Sequence, residues 1–353
     1  MSSIIPRVES KYAVSPGGHK LEWVDAFDLH LSGLAWQNEK HYRRLSNSVQ
    51  DKLSENLARL SSYSAGASIY FETNSPSLSI HWQHKGFLKN AGTNNICSYG
   101  LDLYLFENDK WRFVTAGASH EIENYLEIMA FMEQRPRKYC LHLPLFTEIE
   151  FLRIGIDVGS DLQKIMPYKD KPLLFYGTSI VHGSAASRPG MTYPAQISRA
   201  LKRTHYNFGF ASNGRMDPII GQCISELDVD LIMVDPIPNM SIDTIEKNAY
   251  IFMKHILERK NKIPVVMVSC FPYTTYGFYR STTKAFDVCN PAFLKIFERL
   301  KNEGHDNLHY FVANNMIGDD FEGTMDGTHP NDLGFYRITQ NMVPYLTKLL
   351  RNT

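Results

Sequence analysis

The second half of the chain alternates apolar runs with amphipathic segments, and this alternation constrains the fold more than any other feature of the sequence. Leu173-Leu174-Phe175-Tyr176 is an uninterrupted apolar run, which is typical of a strand buried on both faces of a sheet. Because neighbouring parallel strands need crossover connections, the alternation predicts an α/β fold with a doubly wound parallel sheet of about five strands. We predict strands at 173–176, 206–210, 231–234, 264–269 and 308–312, and helices at 193–201, 218–227, 242–256, 291–301 and 333–350.

The first half of the chain has a different pattern, in which apolar and polar side chains alternate with a period of two. Residues 67–72 and 78–82 alternate on either side of the turn Asn74-Ser75-Pro76, and Asn108-Asp109 separates two further alternating runs, as in a hairpin. Short alternating strands separated by turns predict an all-β sandwich or jelly roll. Further strands are predicted at 27–36, 139–146 and 149–156, with one short helix at 49–60.

The chain has 353 residues, which is longer than one ordinary domain. We therefore predict a β-sandwich (jelly-roll-like) domain over residues 1–165 and the α/β domain over residues 166–353. The 37 basic and 37 acidic residues give a formal charge of zero, which removes the electrostatic case for nucleic acid or an anionic membrane as partner. In the first half, Trp36, Trp82 and Trp111 either offer stacking surfaces for carbohydrate or belong to the core.

The cysteines and the N-terminal segment indicate in which cellular compartment the protein is expected. The five cysteines are widely spaced and form no C-x-x-C pair, which predicts neither a disulfide framework nor a zinc site. Residues 1–24 lack the apolar centre of a signal peptide, and no apolar run reaches the roughly 18 residues that a membrane span needs. We expect a cytoplasmic protein; an exported protein whose signal has already been removed would show the same features.

Polar residues follow the predicted parallel strands, at the points where the chain leaves the sheet. The carboxyl ends of parallel strands share one edge, and ligands bind in the crevice outside that edge. Ser179 comes shortly after the first strand, although Gly177-Thr178-Ser179 is also compatible with a simple turn. The candidates after the later strands are Ser212, Asn213 and Gly214, then Asn239, then residues 271–279, and finally Asp326 and His329.

The segment Asp326-Gly327-Thr328-His329 is suited to activating a serine hydroxyl. A serine nucleophile needs an adjacent base, and an imidazole base needs a carboxylate on its other nitrogen to fix the tautomer. Asp306 and His309 have the same spacing, but they precede the last strand and therefore lie at the opposite edge of the sheet from Ser179. The topology selects the later pair.

Further polar and aromatic residues are candidates for contact with a substrate. Asn239 follows the third strand in a loop that two prolines stiffen, so its amide either stabilises a developing oxyanion or caps the loop. Arg188 and Arg215 lie near the same edge, where each orients a polar or anionic group or pairs with a neighbouring carboxylate. Tyr273 and Tyr276 either line a pocket or pack within their own loop.

Two other site types do not fit the sequence. An α/β-hydrolase would need G-x-S-x-G, and Gly177-Thr178-Ser179-Ile180-Val181 lacks the second glycine. Neither G-x-x-x-x-G-K-[ST] nor G-x-G-x-x-G follows a predicted strand, which excludes the common phosphate-binding loops.

Four segments of the second half resemble, in the same order, the four sequence blocks of the SGNH (GDSL-type) hydrolases. The first half, including residues 64–71, resembles the β-sandwich that precedes the catalytic domain in a bacterial two-domain branch of that family, and residues 186–191 also resemble this branch. The resemblance implies a flavodoxin-like α/β fold and the hydrolysis or transfer of acyl esters without a metal or other cofactor. The four segments are Tyr176-Gly177-Thr178-Ser179, Asn207-Phe208-Gly209-Phe210-Ala211-Ser212-Asn213-Gly214-Arg215, Pro238-Asn239-Met240 and Asp326-Gly327-Thr328-His329-Pro330-Asn331.

The resemblance implies a catalytic triad. Ser179 would be the nucleophile, His329 the base and Asp326 its orienting partner. The implied substrate is a small-molecule or carbohydrate ester with a small acyl group, namely acetyl on a carbohydrate or another polyhydroxylated alcohol. An acyltransferase with the same triad and a non-catalytic carbohydrate-binding protein are the alternatives.

The resemblance also implies an oxyanion hole, with two departures from the family pattern. Its donors would be the backbone N–H of Ser179, the side chain of Asn239 and a backbone N–H of the second block. The glycine of that block falls on Ser212, whose N–H is usable only if the local φ suits a non-glycine residue; Gly214 is the alternative donor. Met240 replaces the aspartate of the third block.

Overall fold

The computed structural model describes residues 5–87 and 92–351. The first half forms two antiparallel sheets, with strand orders β1-β9-β4-β7 and β10-β3-β8-β5-β6, and β2 pairs with β3. The strands are β1 Leu21–Asp25, β2 His30–Ser32, β3 Ser68–Thr73, β4 Leu78–His84, β5 Leu101–Glu107, β6 Lys110–Gly117, β7 Glu123–Met129, β8 Arg137–His142, β9 Ile149–Asp157 and β10 Leu162–Lys164.

The two antiparallel sheets share one apolar core, which confirms the predicted β-sandwich architecture. Ile80 and Ile154 from one sheet and Ile69 and Leu141 from the other are fully buried in that core. The predicted hairpin at Asn108-Asp109 is the turn between β5 and β6. Alternation of side chains thus places every second residue of these strands between the sheets.

Several elements of the first half differ from the sequence-based prediction. The strand predicted at 27–36 is reduced to β2 and short 3₁₀ turns, and the helix predicted at 49–60 is a 3₁₀ turn followed by α1, Glu55–Ser61. The chain also forms β1, β7 and β10, which were not predicted. In β7 few residues are fully buried, because it is an edge strand, so its apolar signal is weak.

The second half forms the predicted parallel sheet of five strands, in the order β12-β11-β13-β14-β15. This order is that of a flavodoxin-like sheet, with the first strand of the domain inside the sheet. The strands are β11 Leu173–Gly177, β12 His205–Gly209, β13 Leu231–Asp235, β14 Val265–Val268 and β15 Leu308–Phe311. The first half also contains α2, Asn95–Tyr99. The helices of the second half are α3 Ser179–His182, α4 Tyr193–Leu201, α5 Pro218–Glu226, α6 Ile242–Thr244, α7 Tyr250–Arg259, α8 Arg280–Lys284, α9 Asn290–Asn302 and α10 Asp332–Arg351.

The register of the parallel strands aligns their carboxyl ends. Gly177 at the end of β11 pairs with Gly209 of β12 on one side and with Asp235 of β13 on the other. A Cβ on Gly177 would lie 2.4 Å from the carbonyl oxygen of Asp235, so this close approach requires glycine. In the described part of the chain, no helix is long and apolar enough to cross a membrane.

The two halves are joined by a fully buried arginine, Arg44 of the first half. Its guanidinium donates to the carbonyls of Asn207 and Gly209 in the second half, and to those of Leu60 and Tyr63 in the first. Burial lowers the pKa of this guanidinium to about 9. Apolar residues of both halves also pack into one buried cluster. The position of the domain boundary near residue 165 stays a prediction.

We predict that Arg44→Met destabilises the protein by about 3 to 5 kcal/mol, because it leaves buried carbonyls without donors. The control is Arg43→Met, since Arg43 forms a partly exposed ion pair with Glu148 and should cost about 1 kcal/mol or less. Urea-induced unfolding followed by circular dichroism measures both. Equal losses in the two variants would contradict the bridging role of Arg44.

Candidate active site

Ser179 lies at the first turn after β11, an interior strand of the parallel sheet. Thr178 caps α3 through its side-chain oxygen, which accepts the N–H of Ile180, and Ser179 is the first residue of that helix. The first N–H groups of a helix have no partner within the helix, so the N–H of Ser179 is oriented as a donor at this edge. The strand-to-helix turn therefore presents both the hydroxyl and the backbone N–H of Ser179 at the carboxyl edge of the sheet.

His329 lies on a tight loop that leads into α10. Gly327 has a φ of 84°, which allows the turn, and the N–H of Met325 donates to the carbonyl of His329. One carboxylate oxygen of Asp326 accepts the N–H groups of Thr328 and His329, at 3.0 and 2.7 Å. These hydrogen bonds fix the carboxylate relative to the imidazole.

The structure brings Ser179, His329 and Asp326 together. The Oγ of Ser179 lies 2.9 Å from Nε2 of His329, and Nδ1 of His329 lies 2.7 Å from Oδ2 of Asp326. Burial opposes ionisation of Asp326, but hydrogen bonds from the backbone and ring of His329 outweigh it and lower its pKa. An ionised Asp326 holds the proton on Nδ1, which leaves Nε2 as an acceptor for the serine hydroxyl.

The second D-x-x-H segment lies at the other edge of the sheet. His309 is near the amino end of β15, where it pairs with Val266 of β14. Asp306 lies in the turn before that strand. The selection of the later pair from topology therefore agrees with the positions of both segments.

Ser212 and Gly214 differ in whether their N–H groups are free. The N–H of Gly214 donates to the carbonyl of Phe210 at 2.8 Å, and a Cβ there would lie 2.1 Å from the carbonyl oxygen of Gly177. Its N–H is already used by the fold, which counts against the expected role of Gly214 as an oxyanion donor. Ser212 adopts a left-handed φ of 59°, and its N–H has no acceptor among the described residues.

Asn239 lies at the end of a 3₁₀ turn after β13, beside Ser212. Its Oδ1 is buried without a hydrogen-bond partner, and its Nδ2 makes no hydrogen bond within the described ranges. Asn239 and Ser212 line one open cavity of about 490 Å³. The amide is thus left unpaired at the position expected for an oxyanion donor.

The four residues predicted to bind substrate lie in different surroundings. Arg215 lines the cavity with Asn239. Arg188 instead forms a salt bridge of 3.0 Å with the buried Asp102, and its role in substrate binding stays a prediction. Tyr273 is buried and packs on its own loop, whereas the hydroxyl of Tyr276 donates to Asp287; neither lines that cavity.

Asp102 is a buried partner of the loop that carries Arg188, and the sequence reasoning missed it. Its buried carboxylate accepts the N–H of Gly190 at 2.9 Å as well as the guanidinium of Arg188. In the same loop, the N–H of Ser187 donates to Asp332, at the start of α10 just beyond His329. The sequence did contain a signal for this contact: Asp102 lies within the apolar run of β5. A carboxylate buried in such a strand needs a hydrogen-bonding or charged partner.

Asp235 is a second buried carboxylate at this edge, at the end of β13. The hydroxyl of Tyr193 donates to it at 3.2 Å, and burial raises its pKa from 3.8 to about 7. In the described part of the chain, no group of three or more His, Cys, Asp or Glu residues is arranged to hold a metal ion.

Comparison with protein families adds to this geometry. A model of the GDSL-like lipase/acylhydrolase family matches residues 170–347. The chain belongs to that family. Membership of this family makes the protein a carboxylic ester hydrolase. A second model, named GxDLY and described as the N-terminus of SGNH-hydrolase-type esterases, matches residues 21–162, and Gly100-Leu101-Asp102-Leu103-Tyr104 carries its name motif.

Solved structures similar to this family member cover both halves of the chain. A putative GDSL-like lipase from Bacteroides ovatus is 29% identical, covers 94% of this chain and 98% of its own, and has a TM-score of 0.90. A salicylyl-acyltransferase from a tetracycline biosynthetic pathway is 19% identical over 95% of this chain and 96% of its own, with a TM-score of 0.73. An acetyl xylan esterase from Butyrivibrio proteoclasticus is 12% identical over 80% of this chain and 90% of its own, with a TM-score of 0.58. No curated protein matches the chain.

We predict that Asp235→Asn changes how stability depends on pH. A carboxyl with a raised pKa stabilises the fold below its unfolded value near 4, and this stabilisation is lost as the pH rises towards 7. Asp235→Asn removes that loss, so its stability relative to wild type should increase by a few kcal/mol, roughly 1.4 for each unit of pKa shift, between pH 4 and pH 8.

Urea-induced unfolding at pH 4, 6 and 8 measures this difference. Asp243→Asn removes an exposed carboxylate of α6 and serves as the control. Parallel pH profiles for wild type and Asp235→Asn would show that Asp235 ionises as it does in the unfolded chain.

Proposed function

We propose that this hydrolase cleaves esters of short acyl groups, of which acetyl is the smallest, on a carbohydrate or another polyhydroxylated alcohol. The observation that carries the proposal is the hydrogen-bonded series Ser179 Oγ, His329 Nε2, His329 Nδ1 and Asp326 Oδ2, with distances of 2.9 and 2.7 Å. This is the arrangement that a serine nucleophile requires.

The proposed reaction has two half-reactions. The Oγ of Ser179 attacks the ester carbonyl carbon while Nε2 of His329 takes the hydroxyl proton. The carboxylate of Asp326 stabilises the resulting imidazolium and keeps its orientation. The imidazolium then returns the proton to the leaving alcohol oxygen, which yields an acyl-enzyme. A water molecule, deprotonated by the same nitrogen, then attacks the carbonyl carbon of the acyl-enzyme. The bond from this carbon to Oγ breaks, the imidazolium returns its proton to Oγ, and the acid is released.

The negative charge that develops on the carbonyl oxygen needs preorganised donors. We assign this role to the N–H of Ser179, the N–H of Ser212 and Nδ2 of Asn239. The free N–H of Ser212 and the unpaired amide of Asn239 support the assignment. Such donors cost no reorganisation when the charge appears, which is the reason they accelerate acyl transfer.

The carbohydrate part of the proposal is supported by the similar folds. They include the acetyl xylan esterase and family two carbohydrate esterases from Clostridium thermocellum and Cellvibrio japonicus. Acyl transfer to another hydroxyl is the second candidate, favoured by the likeness to the salicylyl-acyltransferase over 95% of this chain. Product partition with and without an acceptor alcohol distinguishes the two reactions.

We predict that Ser179→Ala lowers kcat for p-nitrophenyl acetate by about 10⁴-fold or more, because no hydroxyl remains to be acylated. Ser184→Ala is the matched control, because the N–H of Ser184 donates to the carbonyl of Ser179 and its hydroxyl makes no hydrogen bond among the described residues. Steady-state release of p-nitrophenolate measures both. Comparable turnover by Ser179→Ala and wild type would rule out the proposed nucleophile.

We predict that Asn239→Ala lowers kcat by about 10²- to 10³-fold with little change in KM, because the lost donor acts on the transition state. Ser212→Ala keeps its backbone N–H and should change kcat only a few-fold. The same assay measures both variants. An effect of Asn239→Ala confined to KM would remove this residue from the oxyanion hole.

A further inference from the structure

The cavity beside Asn239 is lined by hydrogen-bond donors and cations. Its lining includes Ser212, Arg215 and Asn239, and Ser281 and Lys284 of α8, together with a few apolar residues. No Asp or Glu side chain belongs to its described lining. A cavity of about 490 Å³ with this lining is suited to an acceptor-rich, negatively charged group that is much larger than acetyl.

The two cations of this cavity are exposed and form no close ion pair within the described ranges, although Arg215 attracts Asp217 at longer range. Neither Arg215 nor Lys284 has a carboxylate within 4.0 Å in the part of the chain that the structure describes. Asp217 lies beyond that distance from Arg215, and Asp287, one turn from Lys284, accepts the hydroxyl of Tyr276 instead. By contrast, Lys254 and Arg299 on the neighbouring helices α7 and α9 both pair with Glu303.

The position of the cavity indicates which part of an ester enters it. The leaving oxygen must face Nε2 of His329, because that atom returns the proton to it. Neither Ser179 nor His329 lines the cavity, whereas Ser212 and Asn239, which are assigned to the carbonyl oxygen, do. The carbonyl oxygen belongs to the acyl group, so the acyl side of the ester is the part that lies next to the cavity.

We propose that the preferred acyl group ends in a carboxylate, so that the substrate is a half-ester of a short dicarboxylic acid. Arg215 and Lys284 bind the distal carboxylate. The guanidinium group of Arg215 does so through two N–H groups. This inference rests on the proposed function, since it requires an ester to be cleaved at Ser179.

The test compares 4-methylumbelliferyl hydrogen glutarate with 4-methylumbelliferyl pentanoate, which has an acyl chain of the same length and no charge. Turnover by Ser179→Ala is subtracted as background. We expect kcat/KM for the glutarate to exceed that for the pentanoate by about tenfold at low salt, and the ratio to fall in 0.5 M NaCl (~4 Å screening length). Arg215→Gln and Lys284→Gln should each lower the ratio about threefold, and together they should bring it near one.

Lys295→Gln, on α9 outside the cavity, should leave the ratio unchanged. A wild-type ratio near one, or a ratio that both substitutions leave intact, would overturn the inference while cleavage of the pentanoate still upheld the proposed function. No turnover of either ester or of p-nitrophenyl acetate by wild type would overturn the proposed function itself.

Discussion

Parallel hydrogen bonding around β11 is the constraint on which the rest of the structure depends. It sets Gly177 level with Gly209 and Asp235, so that the residues following three adjacent strands leave the sheet side by side. Ser179, Ser212 and Asn239 are these following residues. A shift in register would move their turns apart along the edge. A Cβ at Gly177 would clash with the carbonyl oxygen of Asp235, so the two strand ends could not stay this close.

The N-terminal half contacts segments that lie near the same edge of the sheet. Arg44 donates hydrogen bonds to carbonyl oxygens of β12, and Asp102 accepts hydrogen bonds from Arg188 and Gly190 in the loop after α3. That loop in turn contacts Asp332 at the start of α10, just after His329. Removing one partner of these buried contacts would be costly, since it would leave a buried charge or carbonyl unpaired. Contacts between the two halves thus adjoin the segments that follow Ser179 and His329.

Local pattern and topology predicted much of this arrangement. The order of strands and helices gave the doubly wound sheet, and the sheet edge separated Asp326 and His329 from the similarly spaced Asp306 and His309. The sequence did not reveal what Arg188 contacts, because its partner lies 86 residues away on the other half. Nor did the sequence show whether Ser212 or Gly214 has the free backbone N–H. That depends on which of the two N–H groups donates to a carbonyl within the fold. Long-range pairing of polar groups leaves little trace in local periodicity.

The account rests on a serine whose hydroxyl is activated by His329. A fluorophosphonate reacts preferentially with such a hydroxyl, and peptide mass spectrometry locates the adduct. For wild type, the account predicts one stoichiometric adduct on the peptide that contains Ser179, and its loss in folded His329→Ala. An adduct on another residue, or equal labelling of wild type and His329→Ala, would contradict it.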